Sequence, residues 1–198
     1  MHPCSQEYME AVRRLTSENK ALMICDEVQC GMYRCGVPFA FQHYGVTPDI
    51  VAIEQSIAGE GQMGAFAARA IVTNAFGPGD HGTTFGGSCL AIAAANCVLD
   101  ELGREGEIER IEAAGEHLAE RLTALPHVKE VRGLGLMRAV EFDDSIDAPA
   151  LVLAALNAPQ GLVLNHTGAH TLRFLPPLVV MNADIDAMAD QLEKLIQA

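Results

Sequence analysis

The chain has no tryptophan, and only three of its 198 residues are lysine: Lys20, Lys129 and Lys194. Aromatic residues make up 5% of a sequence that is 49% hydrophobic, so a core must be assembled from Ala, Val, Ile, Leu and Met. That palette suits buried, mostly parallel strands covered by alanine-rich helices, the α/β class. Positive charge is scarce as well. Thirteen Lys and Arg stand against 26 Asp and Glu, a formal net charge of -13. Phosphate backbones and anionic membrane surfaces both require clustered cations, so neither nucleic acid nor membrane is an expected partner. No apolar run reaches the roughly 18 residues of a spanning helix, and the N-terminus shows no signal-peptide core. The sequence reads as that of a soluble, cytoplasmic protein.

Paired cysteine motifs are missing too. Six cysteines are present, but Cys25, Cys30 and Cys35 recur every five residues, outside the spacing of zinc pairs, and no C-x-x-C or neighbouring histidine pair completes a site. No metal is expected, and no disulfide. Cys25 lies in an apolar run and Cys89 and Cys97 in a small-residue helical stretch, where a free thiol acts as a small buried hydrophobe. His43, His81 and His166 have no partner spacing and are expected to be structural or solvated.

Periodicity gives the elements. Residues 5 to 19 form an amphipathic helix with Ser5 as N-cap. "ALMIC" (21–25), "DIVAI" (49–53) and "FAARAIV" (66–72) are expected strands, and a helix runs from Cys89 to Leu102. Beyond Gly103 the texture changes. A charged helix (105–125) leads to two strands in "VKEVRGLGLMRAVEF", a helix (148–157), strands near "LVLNH" and "TLRFLPPL", and a closing helix capped by Asn182. A boundary between a larger first domain (1–102) and a small α+β domain (103–198) is expected there.

Three places can carry chemistry. Asp26 ends the first strand, and ligands of open α/β sheets bind outside strand carboxyl ends, so Asp26 and Gln29 are expected at a crevice. A carboxylate there can keep a pyridinium nitrogen protonated; its plainer role is to cap a turn. "HGTTFGGS" (81–88) offers hydroxyls and backbone N–H groups before a helix, an anion site or an ordinary turn. Arg173 sits between apolar residues on a strand, where a guanidinium fork suits a carboxylate, or pairs with one of the many surface acids. Gly59, Gly61 and Gly64 spell the dinucleotide spacing G-x-G-x-x-G. That fingerprint follows its strand directly and opens a helix, whereas here Gly59 comes six residues after Ile53.

Read in order, "ALMICDEVQCGMYRCGVPFAFQHYGVTPDIVAI", "PGDHGTTFGGS", "VRGLGLMRAVEF" and "TLRFLPPL" resemble the class III pyridoxal-phosphate aminotransferases, the acetylornithine and ornithine branch in particular. The resemblance implies part of a fold-type I large domain, with a mostly parallel sheet, followed by the small C-terminal domain. It implies pyridoxal phosphate as cofactor, with Asp26 at the pyridine nitrogen and Gln29 near the phenolic oxygen. Thr84 would bind the phosphate of a partner subunit's cofactor, and Arg173 the carboxylate of an amino-acid-type substrate.

In that family "PDIVAI" leads to the lysine that forms the Schiff base. Gln55 stands there instead. A carboxamide nitrogen has its lone pair delocalised and cannot form an imine, so cofactor binding is expected to be non-covalent and weak, and the chain alone inactive or severely impaired. Set beside the family, Met1 falls about halfway along such an enzyme. A homo-oligomer, or a partner supplying the N-terminal half, is therefore expected. A degenerate, non-catalytic module that binds cofactor, metabolite or a full-length subunit is the other reading.

Overall fold

The computed structural model describes residues 1–54, 56–59, 63–84 and 86–198. Gln55 and residues 60–62 of the glycine turn after it lie outside the described residues. The chain divides into two compact units, Cys4–Ile108 and Glu109–Ala198, the latter joined by Met1–Pro3.

The first unit opens with helix α1, Gln6–Glu18, whose first turn is closed by Ser5, its hydroxyl accepting the Tyr8 N–H. Strand β1 (Ile24–Asp26) runs parallel to β2 (Ile50–Glu54), and β3 (Gly64–Ala68) pairs antiparallel with β2, giving the order β1-β2-β3. β1 lies later in the chain than "ALMIC" suggests. Its three residues are those that find partners on β2, while the Ala21 N–H is spent on Thr16 O at the end of α1.

Asp49, just before β2, explains both this register and the early end of β3. Its buried carboxylate accepts the Met23 N–H at 2.9 Å, Arg13 Nη1 at 2.9 Å and Arg69 Nη1 at 3.1 Å. Arg69 also donates its N–H to Asp49 O, so the chain leaves the sheet and turns into the 3-10 segment Ala70–Ala75. Residues 69–72 are therefore not strand, as their apolar run suggests. The Met23 N–H first, and then the two guanidinium groups, hold the Asp49 carboxyl below the usual range.

A depressed carboxyl adds stability above its unfolded value, about 3.9, that is lost as pH falls through the lower folded value. Asp49→Asn is expected to cost about 1–3 kcal/mol near neutrality. The gap to wild type should narrow below about pH 4. All three tyrosines, Tyr8, Tyr33 and Tyr44, lie in this unit, so tyrosine fluorescence during urea unfolding reads it directly.

Helix α2 (Cys89–Leu102) closes the first unit, burying only Ala95 and Leu102. Cys89 and Cys97 are exposed, not buried as the composition of the helix suggests, because none of the described residues covers most of that face.

The second unit is a four-stranded antiparallel sheet, order β4-β5-β7-β6, of β4 (Val128–Leu134), β5 (Met137–Phe142), β6 (Asn165–His166) and β7 (Thr171–Phe174). Around it lie α3 (Glu107–Thr123), α4 (Ala148–Asn157) and α5 (Asn182–Ile196). Helix α3 repeats buried residues at Ile111, Ala114, Leu118 and Leu122, and each fully buried leucine is worth about 1.5–3 kcal/mol. Phe142 and Val140 of β5 and Leu172 of β7 are likewise fully buried.

Gly115 lets α3 approach the β4–β5 turn; a Cβ there would lie 2.4 Å from Gly135 O. Arg138 fastens the same turn from beneath, donating to Gly135 O, Gly133 O and Glu116 Oε1. At α5 the N-cap is Met181 and not Asn182. The Asp184 carboxylate three residues on accepts the Met181 N–H at 3.2 Å, leaving Asn182 as the first helical residue.

Candidate functional site

β1 points its carboxyl end at a tight turn, residues 27–36, and strand alternation sends the two acids there in opposite directions. Asp26 is exposed and Glu27 is 2% exposed. Asp26 Oδ1 accepts the Val28 N–H at 3.0 Å, so part of its role is to close the turn. Its second oxygen has no donor among the described residues and remains available to an N–H from outside. Gln29, three residues along, is exposed on the same turn.

Glu27, which the sequence reading passed over, holds the turn together. Its carboxylate accepts the Ala40 N–H and the Phe41 N–H at 3.0 Å each, and the Cys30 thiol at 3.0 Å. Burial first, then the hydrogen bond to Glu27 and its charge, push the Cys30 thiol far above the ordinary thiol range. Cys30 thus belongs to the hydrogen bonding of the turn. Gly31 completes the turn, since a Cβ there would lie 2.8 Å from Glu27 O. His43 donates from Nε2 to Cys35 O at 2.7 Å, the structural role expected of it. The only sequence signal for Glu27 was its place directly after Asp26 at a strand end, where one of two adjacent acids must face inward.

The loop before α2 holds Thr83 and Thr84. Thr83 Oγ1 accepts the Gly86 N–H at 3.2 Å, and Thr84 is exposed. Phe85, between them and the glycines, lies outside the described residues.

The second unit carries Arg173, in register with Asn165 of β6. Both line a cavity of about 450 Å³ whose walls are largely apolar, with Leu118, Phe174, Leu175 and Met188 among them. Arg173 Nε is buried and meets no acceptor among the described residues. A guanidinium among the residues lining a largely apolar cavity suits a carboxylate ligand. Asp184 also lines the cavity, its carboxylate already engaged with the Met181 N–H. Among the described residues no group of histidine, cysteine and acidic side chains could hold a metal.

The profile of the class III aminotransferases ("Aminotransferase class-III") matches residues 1–196. The chain belongs to this family. It is 40% identical over 200 residues to an acetylornithine aminotransferase of Caldanaerobacter subterraneus, covering 99% of this chain and 50% of that one. Among solved structures, acetylornithine aminotransferase from Elizabethkingia anophelis superposes with TM-score 0.86 at 30% identity, over 98% of this chain and 52% of that chain. The ornithine aminotransferase of Toxoplasma gondii superposes with TM-score 0.85 at 33% identity, over 96% and 46%.

The chain thus spans about half the length of the curated relatives it matches, their C-terminal half. Its α/β architecture, with a mixed sheet, is part of the fold-type I aminotransferase fold. Class III aminotransferases depend on pyridoxal phosphate. The residues at the end of β1 fit one end of that cofactor, since the open Asp26 oxygen can accept a pyridinium N–H. No helix among the described residues is long and apolar enough to cross a membrane.

Proposed function

We propose that the chain forms the C-terminal part of an acetylornithine- or ornithine-type transaminase site, one that holds pyridoxal phosphate without a covalent bond and has no turnover by itself. The observation that carries this is the open oxygen of Asp26 at the end of β1, in a chain whose position 55 is glutamine. When bound, pyridoxal phosphate supplies an electron sink for carbanion chemistry next to an amino group.

What the chain contributes follows from its side chains. Asp26 would accept the ring N–H and keep that nitrogen protonated. Gln29 would serve the ring oxygen, and Thr84 would donate to a phosphate held by a partner subunit. Arg173 fixes a substrate carboxylate, that of an amino-acid donor or of 2-oxoglutarate, against the apolar cavity wall. Gln55 neither attacks a carbonyl nor moves a proton at neutral pH, so both tasks the family gives to its lysine are left undone. That favours a non-catalytic role, as a module that binds cofactor, metabolite or a full-length subunit, over activity of the chain alone. A cytoplasmic, homo-oligomeric or heteromeric assembly is part of this reading, supported by a chain that covers 50% of the length of its Caldanaerobacter relative.

Cofactor titration followed by absorbance tests the assignment. Asp26→Ala is expected to weaken binding about 10- to 100-fold, the worth of one charge-assisted hydrogen bond. Thr84→Ala should weaken it only in an assembled oligomer. Equal affinities for wild type and Asp26→Ala would remove the site.

A further inference from the structure

The second unit forms its cavity of about 450 Å³ from its own residues, between Leu118 of α3 and Met188 of α5. Leu118, Phe174 and Ile185, exposed by 1%, 6% and 2%, make its deep wall. Val163, two residues before β6, is 84% exposed, so the cavity meets water past an apolar side chain. Among the residues lining it two carry charge, Arg173 and Asp184, and Asn165 is polar and neutral.

That combination selects a class of ligand. Walls of carbon offer water no hydrogen bonds, and cavities of this size and lining seat small molecules that are mostly apolar with one or two polar groups. Arg173 sets the polar end, since a guanidinium fork matches a carboxylate. The rest of the ligand meets hydrocarbon, where each buried methylene tightens binding about fourfold. A second carboxylate fits poorly. Against the carbon walls it would lose its hydration without gaining a partner, and beside Asp184 it would meet a like charge. An ammonium group could face Asp184, but that carboxylate already accepts the Met181 N–H at 3.2 Å and is exposed, so water competes for it.

We propose that this cavity binds a monocarboxylate with an apolar tail, an alkanoate or its 2-oxo or 2-amino counterpart, through the second unit's own residues and with no cofactor present. The proposal rests on the reading of Arg173 as the carboxylate-holding residue and narrows what it holds, away from dicarboxylates such as 2-oxoglutarate and towards chains that end in hydrocarbon. Arg173 fixes the head, and the apolar walls grade the tails by length. Binding by the chain alone is selective for the tail and indifferent to pyridoxal phosphate.

The test is calorimetry on the whole chain, free of pyridoxal phosphate, with acetate, butanoate, hexanoate, 2-oxoglutarate and ornithine as probes. Hexanoate is expected to bind about tenfold tighter than butanoate, and about tenfold or more tighter than acetate, 2-oxoglutarate and ornithine. Arg173→Ala is expected to weaken hexanoate about 10- to 100-fold and to leave the binding of uncharged hexanol unchanged, which also shows that the cavity still forms. Val163→Gln changes a side chain that is already in water, so circular dichroism should stay as in wild type while the advantage of hexanoate over acetate falls several-fold. No saturable binding of hexanoate, affinities that do not rise with tail length, 2-oxoglutarate or ornithine binding as tightly as hexanoate, or a Val163→Gln chain with its preference intact would each overturn the proposal. If every carboxylate binds alike and all are lost in Arg173→Ala, the tail selection falls while Arg173 stands as the carboxylate holder. If tail length matters but Arg173 does not, the reading of Arg173 falls together with the proposal.

Discussion

Glu27→Ala is expected to lower the stability of the first unit by about 2–6 kcal/mol, since it strands two backbone N–H groups at about 1–3 kcal/mol each. The Ala40 and Phe41 N–H groups, at 3.0 Å in the native turn, have no other acceptor among the described residues. Tyrosine fluorescence during urea unfolding should show a lower midpoint. Glu27→Gln keeps one carbonyl oxygen and should lose about half as much.

Cys30 provides a second, independent readout. Its thiol is raised by burial and then by the hydrogen bond and charge of Glu27, so removing the charge brings the thiol back towards its ordinary range. Alkylation of Cys30 near pH 8 should therefore be faster in Glu27→Gln than in wild type. A variant as stable as wild type, with Cys30 equally unreactive, would mean that Glu27 does not organise the turn.

The elements that local chemistry decides were legible in the sequence. Ser5 caps α1 through its hydroxyl, and the apolar stripe of α3 and the helix at 148–157 follow from periodicity. What failed to read was set by partners distant in the chain. "FAARAIV" has strand composition throughout, yet Arg69 is taken by Asp49 and the strand stops at Ala68. Asn182 is the better capping residue by type, but Asp184 reaches back and makes Met181 the cap.

Cys89 and Cys97 were expected inside because α2 is apolar, and composition cannot tell whether the cover for an apolar face lies in the same chain. For the site, Asp26 was legible as a strand-end carboxylate, and its turn-closing bond was the plainer role already open to it. Glu27 was not legible, because alternation alone does not say which of two adjacent acids faces inward. The cavity that Arg173 lines is built from β6, β7 and helix side chains distant in the chain, which no spacing reveals.

Gln55→Lys is expected to produce the largest functional change: covalent cofactor attachment where wild type has none. The substitution replaces a delocalised amide nitrogen with an amine that carries a free lone pair once deprotonated. Attachment should require Asp26 and should be strongest in an assembly that supplies the N-terminal half. A Gln55→Lys, Asp26→Ala double variant that is labelled as fully as the single variant would show that the lysine reacts nonspecifically.

The three native lysines are poor substitutes. Lys20 follows α1, Lys194 lies in the last turn of α5, and Lys129 is hydrogen-bonded to Asp144 at 2.9 Å, which raises its pKa and keeps it protonated. The most direct measurement is therefore intact-mass and peptide mapping of the folded wild-type chain after pyridoxal phosphate and borohydride, with Gln55→Lys treated in parallel. The expected result is an unmodified wild-type mass beside a variant carrying one reduced cofactor on residue 55. A stoichiometric adduct on Lys20, Lys129 or Lys194 of the folded wild type would contradict it, and with it the claim that this chain holds its cofactor without a covalent bond.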